Sequence, residues 1–100
     1  MTEQARAALG DRTLPNVTPG AVFPLEHHRY LVLGNSAWHL VERDHAAACG
    51  WWCDCKRYKF WCARYGLECK HIDWLLDWQR RRQATREREM RTLEIGGANV

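Results

Sequence analysis

Two short apolar runs answer each other across a turn. Tyr30-Leu31-Val32-Leu33 is rich in strand formers, and Trp38-His39-Leu40-Val41 follows a few residues later. Between them Gly34-Asn35 suits a two-residue type II′ turn, with Gly34 supplying the positive φ at its first position. The pattern predicts a β-hairpin over 29–43, although its alternation is imperfect and does not assign one face to the interior. After Asp44, the run His45 to Gly50 reads as a loop or a single helical turn, and Trp51-Trp52 as a third short strand. From Cys69 the period becomes helical. At about 100° per residue, Ile72, Trp74, Leu75, Leu76 and Trp78 fall on one arc, with His71 near its middle. Lys70, Asp73, Asp77, Arg80 and Arg81 fall on the opposite arc. Past Gln79 the inward arc receives Arg82, Arg86 and Glu89, so the helix runs off its core. No Pro or Gly interrupts residues 80–91, and Asp77–Arg81 and Glu87–Arg91 are supportive i,i+4 pairs. Unbroken from 70 to 92, the helix would be roughly 35 Å long. The segment from Ile95 to Val100 is expected to end it and fray.

Residues 1–24 are less committed. Ala5 to Leu9 favours a helix too short to stand alone, and Pro15, Pro19, Gly20 and Pro24 punctuate a stretch that resists regular structure. The expected organisation is a flexible or surface-draped arm over 1–28, a folded unit over 29–79, and a basic helical extension over 80–100. The His27-His28 pair reads as a neutral surface feature before it reads as a metal recruiter. The fold class is α+β: an antiparallel hairpin, a short third strand and a long C-terminal helix.

One hundred residues allow one domain, and a domain this small often needs a staple. Five cysteines leave one unpaired in any intramolecular disulfide scheme, and no signal peptide is apparent. A reducing, intracellular compartment (cytoplasmic or nuclear) and a metal site are therefore expected. No apolar run approaches 18 residues, so no membrane span is predicted. The net charge of +3 is unevenly spread. Residues 1–50 carry four Lys/Arg and five Asp/Glu, whereas residues 51–100 carry eleven and seven. The excess of positive charge travels with the cysteine-rich half, which points to an anionic partner.

The chemistry is concentrated between residues 53 and 71. Cys53-Asp-Cys55 is followed, after thirteen residues, by Cys69-Lys-His71. Residues two apart on a strand project to the same side, so Cys53 and Cys55 form one jaw of a clamp. On a helix, residues two apart diverge by about 200°, so Cys69 belongs just before a helix start, with His71 pointing inward from the first turn. Three thiols and an imidazole make one four-coordinate structural site, expected to hold a single zinc ion. Two alternatives stand beside this. A thiolate-rich site also suits a [2Fe–2S] cluster, and Cys49 or Cys62 could replace a named ligand. Cys62, flanked by aromatic and basic residues, otherwise reads as a small buried hydrophobe.

The Cys-x-Cys pair, the insert and the Cys-x-His pair, with a hairpin before and an apolar helix after, resemble the SWIM zinc finger. Phe60 a few residues after the second ligand, Gly66 before the third, and the run Cys69-Lys70-His71-Ile72 agree with that family's pattern. Lys56 stands where the family often has Pro or Ser. The resemblance covers about residues 29 to 79. It implies a small zinc-stapled ββα finger, zinc-ligand roles for Cys53, Cys55, Cys69 and His71, and a DNA-binding or protein-interaction module. The chain departs from the family in being nearly all finger, with no companion catalytic domain expected.

Between the two ligand pairs, Lys56-Arg57-Tyr58-Lys59-Phe60-Trp61-Cys62-Ala63-Arg64-Tyr65 alternates cations with rings, a combination used by single-strand binders. The competing expectation is that Tyr58, Phe60 and Trp61 pack around the metal while the charges face water. Candidate nucleic-acid contacts are Lys56, Arg57, Lys59, Arg64, Lys70, Arg80, Arg81, Arg82 and Arg86. Arginine outnumbers lysine twelve to three, and its planar fork suits phosphate. The leading expectation is a non-enzymatic zinc module contacting nucleic acid, DNA in particular, mainly through phosphates. The alternative is a protein-interaction adaptor for a recombination, ATPase or transposition partner, using Met90, Leu93, Ile95 and uncovered tryptophans. No catalytic residues and no small-molecule substrate are expected. Four ligands close the metal site, and no glycine-rich phosphate loop is present.

Overall fold

The structure, a computed structural model, describes the backbone of residues 1–98 and the side chains of residues 1–90. Helix α1 (Glu3–Leu9) precedes four strands, β1 (Val22–Pro24), β2 (Arg29–Leu33), β3 (Trp38–Arg43) and β4 (Trp51–Cys53). A π-helical turn (Tyr58–Cys62) runs into the short α2 (Ala63–Tyr65), and α3 (Lys70–Ala98) follows. The strands form one antiparallel sheet in the order β1-β2-β3-β4. The fold is α+β, with the hairpin β2–β3, the short strand at Trp51 and the long C-terminal helix all where the apolar pattern puts them.

The sheet is buried on both sides. Val32, Val41, Trp51 and Cys53 face Ile72 and Leu75 of α3. Leu31, Trp38 and Leu40 pack instead with Ala5 and Leu9 of α1. The imperfect alternation of the hairpin now has its cause: successive residues of β2 and β3 each enter a different apolar cluster. Five of the six tryptophans are absorbed into these two clusters.

The N-terminal stretch departs from the expectation of an arm without regular structure beyond one short helix. Residues 22–24 add a fourth strand, paired Val22 with Val32, Phe23 with Leu31 and Pro24 with Tyr30. Pro24 is tolerated because β1 is the sheet's edge, where a missing N–H need not break a ladder. His27 and His28 lie in the turn joining β1 to β2 and both take left-handed backbone angles, φ 60° and 56°. They are exposed turn residues and stand apart from the cysteine-rich cluster.

The hairpin turn also differs by one residue. Gly34 N–H donates to Ala37 O at 2.8 Å, which puts Asn35-Ser36 at the tip. Gly34 is not among the positive-φ glycines, so the II′ geometry expected there is not formed. What requires a glycine at this position is the packing of two imidazoles against it. Helix α3 continues to Ala98, beyond Ile95 where the sequence predicts its end. The Glu87–Arg91 pair falls outside the described side chains; Asp77–Arg81 forms at 2.9 Å.

Candidate metal centre

Strand β4 ends at Cys53, and the chain turns through Asp54 to Cys55, leaving both thiols buried. Cys69 immediately precedes α3, whose first turn is closed by Asp73 N–H donating to Cys69 O at 3.0 Å. His71 then points inward from that turn, almost fully buried. The ligand atoms of Cys53, Cys55, Cys69 and His71 all lie within 4.8 Å of one another. His71 Nδ1 is the nitrogen facing the thiols, 3.6 Å from Cys53 Sγ and 3.9 Å from Cys69 Sγ. These four side chains could hold one metal ion, and none of the five cysteines is in a disulfide. Cys62 is a buried core residue, and Cys49 Sγ donates to Trp51 O at 3.2 Å; neither joins the cluster.

Three thiols in one dry pocket do not ionise independently. Cys55 is driven far below the ordinary thiol value, first by hydrogen bonding from Cys53, then from Cys69. Its charge is also met by the backbone N–H of Tyr58, which donates to Cys55 Sγ at 3.3 Å. Cys53 is driven far up, first by its hydrogen bond to Cys55 and then by Cys69 and burial. Contact with Cys53 alone would lower Cys69, but hydrogen bonding to Cys55 and burial outweigh it, and its thiol is pushed up to about 12. Three thiolates crowded into one buried pocket would repel one another, so full ionisation of the set requires a cation. The donor set fits a metal on these grounds as well as on distance.

Around the ligands lies a shell that spacing rules do not reveal. Asp54, between the two cysteines, turns its carboxylate to the other side of the chain, where it is fully buried. His39 Nδ1–H donates to Asp54 Oδ1 at 3.1 Å, and the Thr2 hydroxyl donates to Oδ2. Burial would raise this carboxyl, but the bonds from His39 and Thr2 prevail and hold it below the usual range. Thr2 Oγ1 also accepts the Ala5 N–H at 3.1 Å, capping α1. The His39 ring lies against the His71 ring, with centroids 4.1 Å apart. A chain of contacts therefore runs from the cap of α1 through Asp54 and His39 to His71. The single sequence clue to it is an acidic residue between two ligand cysteines.

Gly34 completes the shell. A Cβ there would come 2.8 Å from His71 Nε2, 3.1 Å from His39 Cδ2 and 3.2 Å from Ala37 O. The glycine is thus required by the two imidazoles rather than by the turn.

The candidate nucleic-acid residues are all exposed, but they fall on different elements. Lys56, Arg57, Lys59 and Arg64 occupy the insert between the ligand pairs. Lys70 opens α3, while Arg80, Arg81, Arg82 and Arg86 lie on its extension past the core. Some have local partners: Arg81 pairs with Asp77, while Arg82, Lys70 and Lys59 lie over Trp78, Trp74 and Trp52 at 4.8, 5.6 and 5.7 Å. Of the residues named for a protein contact, Met90 is exposed, whereas Leu93 and Ile95 fall outside the described side chains. No helix among the described residues is long and apolar enough to cross a membrane.

Comparison with known proteins finds no match, whether among family models, curated proteins or solved structures.

Proposed function

We propose that the chain is a non-enzymatic, zinc-stapled module of SWIM-like pattern that contacts nucleic acid, DNA in particular, mainly through phosphates. Zinc is supported by donor set and distance. Metal–sulfur and metal–nitrogen bonds of about 2.3 and 2.0–2.1 Å give tetrahedral edges of about 3.5–3.8 Å. The separations of 3.6 and 3.9 Å from His71 Nδ1 to two sulfurs lie close to that range. Four protein ligands would leave a tetrahedral ion no position for a reacting water, which argues against catalysis at the metal. The SWIM-like reading rests on the order and spacing of the ligands, with a hairpin before them and a helix after.

The observation that carries the nucleic-acid reading is the extension of α3. The helix leaves the core near Gln79 and presents Arg80, Arg81, Arg82 and Arg86 to solvent, all exposed. A polar helix leaving a core is solvated, paired with a partner or laid along an anion. The existing partners of Arg81 and Arg82 do not block phosphate, because exposed ion pairs and cation–π contacts are each worth about 1 kcal/mol or less. Binding of a labelled duplex across a salt series tests the reading, after metal analysis of the purified protein. Replacing the four arginines with alanine should weaken binding to every sequence. It should also flatten log K against log salt by about 0.9 for each phosphate that is no longer neutralised. An unchanged slope rejects this surface.

A further inference from the structure

The insert between the ligand pairs folds so as to sort its aromatic residues. Tyr58 and Cys62 point inward; Tyr58 is buried, and its hydroxyl donates to Trp51 O at 2.6 Å. Phe60, Trp61 and Tyr65 point outward, with 76%, 54% and 56% of their surfaces exposed. The expectation that Phe60 and Trp61 pack around the metal therefore fails, and it fails for a physical reason. The insert begins on the ligand Cys55, with Lys59 N–H donating to Cys55 O at 3.1 Å, and its one short helical segment has only one face to bury. Residues 58 and 62, four apart, take that face.

Trp61 is thus the exception among six tryptophans, the other five being packed in the two clusters. Its ring and that of Tyr65, one turn on, lie 4.9 Å apart between centroids. Around them Lys56, Arg57 and Arg64 are exposed, and no acidic residue occurs between Asp54 and Glu68. Exposed rings beside unopposed cations match a ligand that has flat apolar faces and a negative backbone.

We infer that Phe60, Trp61 and Tyr65, flanked by Lys56, Arg57 and Arg64, form a stacking platform for single-stranded nucleic acid. The inference rests on the nucleic-acid reading above and deepens it by naming the form bound. Unpaired bases expose the faces that a duplex hides in its own stack, and aromatic side chains take any base in this way. An anionic membrane surface would also accept rings and cations. Interfacial helices, however, offer a long apolar face, whereas this segment buries its second face in the protein and adds one large exposed aliphatic side chain, Leu67.

The test uses the full chain loaded with zinc, fluorescein-labelled dT15 and rU15, and a duplex of equal length. Wild type should bind the single strands more tightly than the duplex, with quenching of tryptophan emission. The triple variant Phe60→Ala, Trp61→Ala, Tyr65→Ala should lose single-strand affinity by about five-fold or more per stacked ring. Its duplex affinity and zinc content should not change, because all three side chains are exposed. Trp61→Phe should recover most of the loss caused by Trp61→Ala. Unchanged single-strand affinity in the triple variant overturns the platform, and if the four-arginine variant is still weakened, the phosphate reading stands. Failure of wild type to bind any oligonucleotide overturns both. Ring-dependent binding to phosphatidylserine vesicles, without binding to dT15, overturns the platform in favour of a membrane surface.

Discussion

Gly34 and Asp54 show how much of the candidate metal centre is held by residues that would never touch an ion. Gly34 lies against the edge of His71, and any side chain there meets the imidazole at 2.8 Å. Adding one methyl to a packed interior costs roughly 1–3 kcal/mol, and here the atom displaced belongs to a ligand. Gly34→Ala should therefore weaken zinc binding measurably in a competition titration with a chromophoric chelator, while Asn35→Ala at the exposed tip should not. Equal affinities for the two variants would show that the ring can shift freely. Asp54 works from the other side. Through His39 it braces His71, and through Thr2 it holds the start of α1.

At the scale of elements, α1 and β1 are structural parts of the sheet rather than decoration. Helix α1 is seven residues long, too short to persist alone in water. It forms because Thr2 caps it and because Ala5 and Leu9 fill the side of the sheet opposite α3. Leu9→Ala should cost about 2–3 kcal/mol, the low end for a buried leucine since this one sits at the margin. Chemical denaturation of the metal-loaded protein would measure it. A loss of under about 0.5 kcal/mol would mean that the second cluster contributes little. Removing residues 1–24 should have a larger effect, exposing Leu31, Trp38 and Leu40 and lowering solubility.

For the whole molecule, the ion is expected to join the sheet to α3, since two ligands come from the end of β4 and two from the start of the helix. Structural zinc contributes about 10–16 kcal/mol in small fingers, as much as or more than the net stability of a typical domain, about 5–15 kcal/mol. Cys69→Ser, His71→Ala or chelation should therefore abolish cooperative melting of the 29–79 region, followed by circular dichroism. Persistent cooperative melting of the chelated protein would mean that the two apolar clusters suffice. Loading should also depend on pH in a definite direction. In the metal-free chain, expected to be unfolded, the three thiols keep their ordinary value of about 8.5 and are protonated near neutrality. Uptake near neutrality should thus release about three protons per ion, and affinity should fall as pH is lowered. Calorimetry in buffers of different ionisation enthalpy would count them; release near zero would exclude the thiols as the ligands.

The sequence by itself determined the local and periodic features. Spacing put Cys69 just ahead of a helix that turns His71 inward, because that follows from helix geometry over two or three residues. It also paired Cys53 with Cys55, although Cys55 reaches the cluster through a turn beyond the end of β4 and not by strand alternation. The 3.6-residue period likewise fixed which face of α3 is apolar and where it leaves the core. What covers the second side of the sheet was settled only by tertiary structure. A short helix and a proline-ended strand carry too little local signal, and contact with the sheet is what orders them. The same holds for the insert, where alternating rings and cations are compatible with either face. Tyr58 and Cys62 took the interior because the turn begins at Cys55, and that long-range constraint left Phe60, Trp61 and Tyr65 to the solvent.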